Sequence, residues 1–149
     1  MKKGLALATQ MLLLTLFLFV VFCLAALYLW PAMQAAFADF YSPQWGKLGM
    51  LAFLTAAGLM ACHILIELLF VMRTVGNDPF VQRNVYAFSR MGATAELAGL
   101  LFLVKSVLDF TPMTAVCALV MLLSGLFALV MADVFRRAVA FKQENDLTI

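Results

Sequence analysis

The feature that most restricts this chain is the length of its uncharged stretches. From Gly4 to Ala38, and again from Phe110 to Ala132, no residue carries a charge. Each run is longer than the ~20 residues needed to cross a hydrocarbon core ~30 Å thick. In that medium every backbone N–H and C=O must be satisfied internally, which selects helices. Leu48 to Met72 supplies a third span, interrupted only by His63 and Glu67. Met91 to Leu108 is the weakest candidate, because Glu96 and Lys105 at ~3 kcal/mol each cancel its Leu, Val and Phe residues at ~0.5 kcal/mol each. Insertion as a hairpin with the following span, with the charges near its ends, lowers that cost.

The expected architecture is therefore all-α: one polytopic membrane domain over residues 1–149, with transmembrane helices at about 5–30, 48–72, 90–108 and 112–132 and a tail over 133–149. Composition agrees, since the 149 residues are 66% hydrophobic and only 12% charged, against about 25% charged in a soluble domain. Lys2 and Lys3 before an apolar run, with Ala36-Phe37-Ala38 after it, imitate a signal peptide. The run is much longer than an h-region of roughly 7–15 residues, so retention as a span is expected. Cys23, Cys62 and Cys117 fall singly on three spans, without a Cys-x-x-Cys pair, and read as small packing residues.

Ten Lys and Arg residues set the orientation. Lys2, Lys3, Arg73, Arg83, Arg90, Arg136, Arg137 and Lys142 all fall on one side, leaving Lys47 and Lys105 for the other. The positive-inside rule then places both termini and the middle loop in the cytoplasm. On the outer side, Trp30, Phe37, Phe40, Tyr41 and Trp45 form an aromatic belt broken by Pro31 and Pro43, with a short helix expected over 32–40. The second outer connection is tight: Thr111 suits an N-cap and Pro112 the first helical position. Lys105 and Asp109, at i and i+4, let the lysine snorkel outward beside its partner. Ser124, Ala128 and Ala132 on the last span, with Ala95 and Gly99 on the third, are small residues spaced for close helix approach.

The cytoplasmic loop "RTVGNDPFVQRN" punctuates two helices. Gly76 suits a left-handed C-cap, Asp78 an N-cap, and Pro79 the first position of the next helix. From there Phe80, Val81, Val85 and Phe88 recur at helical spacing opposite Gln82, Arg83, Tyr86 and Arg90, which predicts an amphipathic helix at the interface running or bending into span three. The tail extends the last span as an amphipathic helix, with Val134, Ala138 and Phe141 on one face, Phe135 beside them, and Arg136, Arg137 and Lys142 toward water or anionic lipid. After Glu144 the alternation Asp146, Leu147, Thr148, Ile149 reads as extended. Aliphatic residues at a terminus suggest docking, in cis on the loop or in trans on another protein.

"NDPFVQRNV", Asn77 to Val85, paired with a terminal "FKQENDLTI", Phe141 to Ile149, resembles a bacterial family of four-pass membrane proteins catalogued as domain of unknown function 2975. The matching positions are Asn77, Pro79, Phe80, Asn84, Asp146, Leu147, Thr148 and Ile149. The resemblance implies a bacterial cytoplasmic membrane, no established activity, and a gene setting beside a helix-turn-helix regulator of the Cro/CI type. The expected partner is thus such a regulator, with no direct nucleic-acid contact by this chain, the lipid bilayer as its medium, and oligomerisation open. Candidate docking residues are Asn77, Asp78, Pro79, Phe80, Asn84, Glu144, Asp146, Leu147, Thr148 and Ile149.

A second constellation lies inside the membrane. Glu67 precedes Arg73 and Glu96 follows Arg90 by the same number of residues, which puts both acids ~9 Å inside the edge, at depths that allow them to face each other. His63 shares a helix face with Glu67 at i and i+4. His63, Glu67 and Glu96 admit three readings: helix-to-helix bonding through Arg73 or Arg90, proton or cation handling, and a metal site. No Ser/His/Asp set, phosphate loop or His-x-x-x-His occurs, so neither an enzyme nor a cofactor is expected. The leading function class is a regulatory or scaffolding membrane protein. The alternative is a small proton- or cation-coupled transporter or channel subunit using Glu67 and Glu96, although small drug exporters carry their carboxylate on the first span, which is uncharged here.

Overall fold

A computed structural model describes residues 3–36, 46–75 and 80–146, the side chains of Lys3, Val75 and Asp146 excepted. The described residues form helices only: α1 (Lys3–Leu29), α2 (Pro31–Ala36), α3 (Gly46–Val75), α4 (Gln82–Leu108) and α5 (Pro112–Asp146). Four of them, α1, α3, α4 and α5, are long and apolar enough to cross a membrane. The expected helix over 32–40 is represented by α2, which starts on Pro31; residues 37–40 and the belt residues Tyr41, Pro43 and Trp45 lie outside the described residues.

α1 is apolar on every side, and many of its Leu, Phe and Val side chains are exposed in the isolated chain, as suits a helix facing lipid. Its few hydroxyls are satisfied locally: Thr9 and Thr15 donate to Leu5 O and Met11 O. α1 runs antiparallel to α3. Gln10 donates to Met72 O at 3.3 Å near one end, Leu24 covers Gly58 in the middle, and Tyr28 bonds Thr55 near the other. α3 and α4 are likewise antiparallel, joined through Val71, Ala87 and Met91 with Ile64, Leu68 and Phe88 packed around them, and through an edge-on Phe53–Phe102 pair 5.1 Å apart at the far end.

The closest pairing is α4 with α5, where small residues remove the side chains that would hold the backbones apart. A β-carbon at Gly92 would lie 2.7 Å from Leu129 Cγ and 3.1 Å from the carbonyl oxygen of Gly125, and one at Gly99 would lie 2.7 Å from Leu122. Ala95, Ala98, Ala118 and Ala132 are buried along the same hairpin. The small-residue stripe expected on the last span is therefore shifted: Gly125 and Ala132 face the seam, while Ser124 is exposed and donates to Val120 O. Between α1 and α5 the packing leaves an apolar crevice of about 380 Å³, reached by Leu16, Val20, Ile64, Met91, Phe127 and Ala128.

Pro112 opens α5 as expected, with Thr114 donating to Thr111 O and bonding its hydroxyl. Asp109 closes α4 through its N–H to Lys105 O and receives the Lys105 ammonium at 2.5 Å. The snorkelling expected of Lys105 is corrected: the residue is 5% exposed, its stem packed within the protein and its charge met by Asp109 beside it.

α4 also departs from expectation, beginning at Gln82 rather than Pro79. Val81 is extended, with φ −116° and ψ 145°, and makes no side-chain cap bond. Gly76, Asp78 and Pro79, proposed as caps, lie outside the described residues. Once begun, the helix runs unbroken to Leu108, so the interfacial segment and span three are one rod. α5 continues as a single helix to Asp146, without the strand-like change expected after Glu144. The face of this extension that packs inward is not the one carrying Val134 and Phe141. Ala132 and Val139 are buried with Phe135 half-buried beside them, whereas Val134 and Phe141 point outward.

The α4–α5 seam makes a sharp prediction. Gly92→Val forces Leu129 and the Gly125 carbonyl away and is expected to cost about 1–3 kcal/mol. Gly4→Val, the same substitution where a β-carbon meets nothing within 4 Å, serves as control. Thermal unfolding in micelles that shifted equally for both variants would refute close approach as the source of α4–α5 stability.

Candidate functional site

Four polar residues of the membrane-spanning part meet on the α3–α4 seam. Arg90 Nη1 donates to Glu67 Oε1 at 3.2 Å, and His63 Nε2 lies 3.8 Å from the same oxygen. His63 Nδ1 is 2.9 Å from Thr94 Oγ1. The order Arg90, Glu67, His63, Thr94 is thus a continuous polar ladder descending from the arginine-bearing end of the helix pair. Local helix geometry explains it: His63 and Glu67 stack at i and i+4 on α3, and Arg90 and Thr94 do so on α4. The antiparallel register then brings the two pairs opposite each other.

The ladder is asymmetric in its access to solvent. The Glu67 side chain is 11% exposed while that of Arg90 is 67% exposed, so the carboxylate depends on the arginine far more than the reverse. Arg90 gives Glu67 one of its five N–H donors. Next to it, Arg83 sits 4.8 Å from the centre of the Phe70 ring, and Arg73 sits 5.9 Å from the same ring. Glu67, Phe70, Arg83, Tyr86, Ala87 and Arg90 line a cleft of about 380 Å³.

Glu96 does not join this group. It points at α5, where a β-carbon on Gly125 would lie 2.7 Å from Glu96 Oε1, and that oxygen is buried without a hydrogen-bond partner among the described residues. The expectation that Glu67 and Glu96 face each other is corrected: residues 90 and 94 of α4 look toward α3, and Glu96, two positions on from Thr94, falls on the opposite side of the helix. Among the described residues no three His, Cys, Asp or Glu side chains converge at metal-holding distance, so His63, Glu67 and Glu96 do not make a joint ligand set.

The docking candidates divide in the same way. Asn77, Asp78, Pro79, Leu147, Thr148 and Ile149, and the side chain of Asp146, lie outside the described residues. Asn84 is 1% exposed and its Oδ1 accepts the Thr74 hydroxyl at 2.6 Å. It therefore ties the end of α3 to the start of α4 and is not available to a partner, a correction to its expected role. Phe80 is exposed on one side and tilted against Phe135 with centroids 5.9 Å apart; Phe88 stacks on the other part of Phe135 at 5.1 Å. Glu144 lies exposed on the last turns of α5.

Sequence reading missed Thr94, Thr74, Phe135 and the Arg83–Phe70 pair as partners. Each is an ordinary residue on its own helix, and only the register between helices gives it a role.

At 1.5 Å per residue, the 35 residues of α5 extend ~52 Å, so ~20 Å project past a hydrocarbon core of ~30 Å. The projecting part carries Asp133 bonded to Arg137 at 2.8 Å and 3.8 Å from Arg136, at the same end as Arg83 and Arg90. Four membrane-length antiparallel helices, three of them ending on a polar, arginine-rich face, define a multi-pass helical membrane protein. The chain belongs to the family described as Protein of unknown function (DUF2975), whose model matches residues 28–149 and so takes in α2 to α5 entire. Neither the comparison with curated proteins nor that with solved structures found a match.

The ladder carries its own test. Arg90→Gln leaves Glu67 short of its cation in a poorly solvated seam and is expected to cost about 1–3 kcal/mol. Glu67→Gln should cost less, since the mostly exposed Arg90 can turn to water or lipid phosphate. The double variant should recover most of the Arg90→Gln loss, and a fully additive double-mutant cycle in micelle unfolding would dissolve the proposed dependence.

Proposed function

We infer that this chain is a membrane-anchored regulatory or scaffolding module whose loop between α3 and α4 and projecting end of α5 form one docking face for a soluble partner. The observation that carries this reading is the packing of Phe80 and Phe88 on Phe135, which fixes the start of α4 to the projecting part of α5. A loop and a tail that were independently mobile would pay the ordering cost of binding separately. The aromatic contact lowers that cost by fixing the start of α4 against the projecting part of α5.

The face is cytoplasmic on this reading, because all but Lys47 and Lys105 of the ten basic residues fall on its side of the membrane. The membrane is the bacterial inner membrane implied by the family resemblance, and the partner is a helix-turn-helix regulator of the kind implied by its gene setting. Acidic Glu144 and Asp146 beside Arg136, Arg137 and Lys142 offer both charge signs to such a partner. Coupled transport through Glu67 and Glu96 has less support, because the two carboxylates serve different helix pairs.

Two measurements test these statements. With Lys142→Cys in a background where Cys23, Cys62 and Cys117 are replaced by Ala, a membrane-impermeant maleimide should label inside-out vesicles and spare intact cells; labelling of intact cells reverses the orientation. Removing Asp146 to Ile149 should abolish co-purification of the regulator while the helices remain inserted. Retained binding by that truncated chain would end the docking proposal.

A further inference from the structure

We propose that the cleft between α3 and α4 is a binding site for the phosphate of an anionic glycerophospholipid. The cleft is lined by two guanidinium groups, Arg83 and Arg90, with the phenol of Tyr86 between them along the helix and the ring of Phe70 forming its wall. All three α4 residues lie on one face at i, i+3 and i+7, spanning ~10 Å of depth from the start of the helix. That is the depth over which a lipid passes from headgroup to upper acyl chain at the arginine-bearing end of the bundle.

Both guanidinium groups are held in place before any ligand arrives. Arg83 is anchored over Phe70 at 4.8 Å, and Arg90 is anchored by Glu67 at 3.2 Å. Arg90 spends one donor on Glu67, and its 67% exposed side chain has others to offer to the cleft. Paired arginine forks match the geometry of phosphate oxygens, and a phenol adds one more donor. Glu67 itself lines the cleft but its side chain is 11% exposed, and its bond is to Arg90. The remaining balance at the opening is positive.

Position selects the lipid over a soluble phosphate. The crevice is lined by Ile64 and Met91 among others, whereas the cleft is lined by Glu67 and Phe70 of α3 and Arg83, Tyr86, Ala87 and Arg90 of α4, so the two share no lining residue. Arg83, Tyr86 and Arg90 are exposed at the outer surface of a membrane-length helix, and the apolar Phe70 wall and Ala87 beneath it suit the start of an acyl chain better than a hydrated ion. A lipid seated there would touch the end of α3 and the start of α4 together, next to the Thr74–Asn84 bond that already joins them.

Native mass spectrometry of the full chain in micelles, titrated with phosphatidylglycerol, phosphatidylcholine or inorganic phosphate, tests the site. Phosphatidylglycerol should be retained in preference to phosphatidylcholine, and Arg83→Gln should weaken it about fivefold, the worth of one arginine near a lipid phosphate. Tyr86→Phe should weaken it less, and Arg136→Gln, at the same end but on α5 outside the cleft, should leave it unchanged. Equal weakening by Arg83→Gln and Arg136→Gln would show diffuse attraction to a basic surface and overturn the proposal. Displacement of phosphatidylglycerol by inorganic phosphate at equal concentration would overturn the lipid assignment in favour of a soluble anion. Circular dichroism of each variant separates a lost site from a lost fold.

Discussion

The close approach of α4 to α5 is the constraint on which the other arrangements rest. In lipid, helices gain little from hiding apolar side chains from a solvent that is itself apolar, so association depends on van der Waals contact and on polar pairs. Gly92, Gly99 and Gly125 provide the contact, with the Gly125 carbonyl close enough to Gly92 that a single methyl would disturb it. The consequence reaches beyond the hairpin. With one side of α4 committed to α5, the side bearing Arg90 and Thr94 faces α3, where His63 and Glu67 answer them from within the apolar part of that helix. A span as weakly apolar as α4, with two arginines, a glutamate and a lysine along its length, is tolerable because α3 supplies Glu67 to Arg90, Phe70 of α3 lies under Arg83, and Asp109 meets Lys105.

Lys105 and Arg90 show two solutions to the same problem. Near one end Lys105 is buried and its ammonium is met within its own helix by Asp109, which also ends the helix. Near the other, Arg90 stays exposed and its partner Glu67 is the buried member. The first arrangement is self-contained and closes a tight turn. The second leaves guanidinium donors outward, so the same bond that satisfies Glu67 also fixes a cation on the surface of the seam. Structural pairing and ligand capture are therefore not competing readings of Arg90, because the buried carboxylate is what holds the arginine at the cleft.

Most of the fold was legible in the sequence. Charge-free runs gave α1 and α5, and Pro112 after Thr111 gave the start of α5 to the residue. The errors fall where a partner on another helix decides the outcome. Periodicity on the tail favoured Val134 and Phe141, but the face that is buried is the one carrying Ala132, Phe135 and Val139, because Phe80 and Phe88 lie against Phe135. Equal spacing from Arg73 and Arg90 placed Glu67 and Glu96 at matching depth, and depth is all that spacing gives; rotation about the helix axis sends Glu96 to Gly125 and Glu67 to Arg90. The motif residue Asn84 shows the limit most plainly. Its place in a loop signature suggests an exposed contact, yet its amide is buried against Thr74, so it joins the end of α3 to the start of α4.

This division of labour bears on how a signal could pass between membrane and surface. The projecting part of α5 is clamped to the start of α4 through Phe135, and the start of α4 is tied to the end of α3 through Asn84 and Thr74. The α3–α4 cleft opens within a few residues of both ties. An occupant that changed the spacing of α3 and α4 would bear first on the Thr74–Asn84 bond and then on the orientation of Phe80, which is shared between the loop and α5. Coupling of that kind needs no moving part deep in the bundle, because both ties lie at the arginine-bearing end, away from the glycine seam that holds α4 and α5 together. The Glu96 oxygen that has no hydrogen-bond partner among the described residues lies on the α5 side of α4, against Gly125 and away from the cleft.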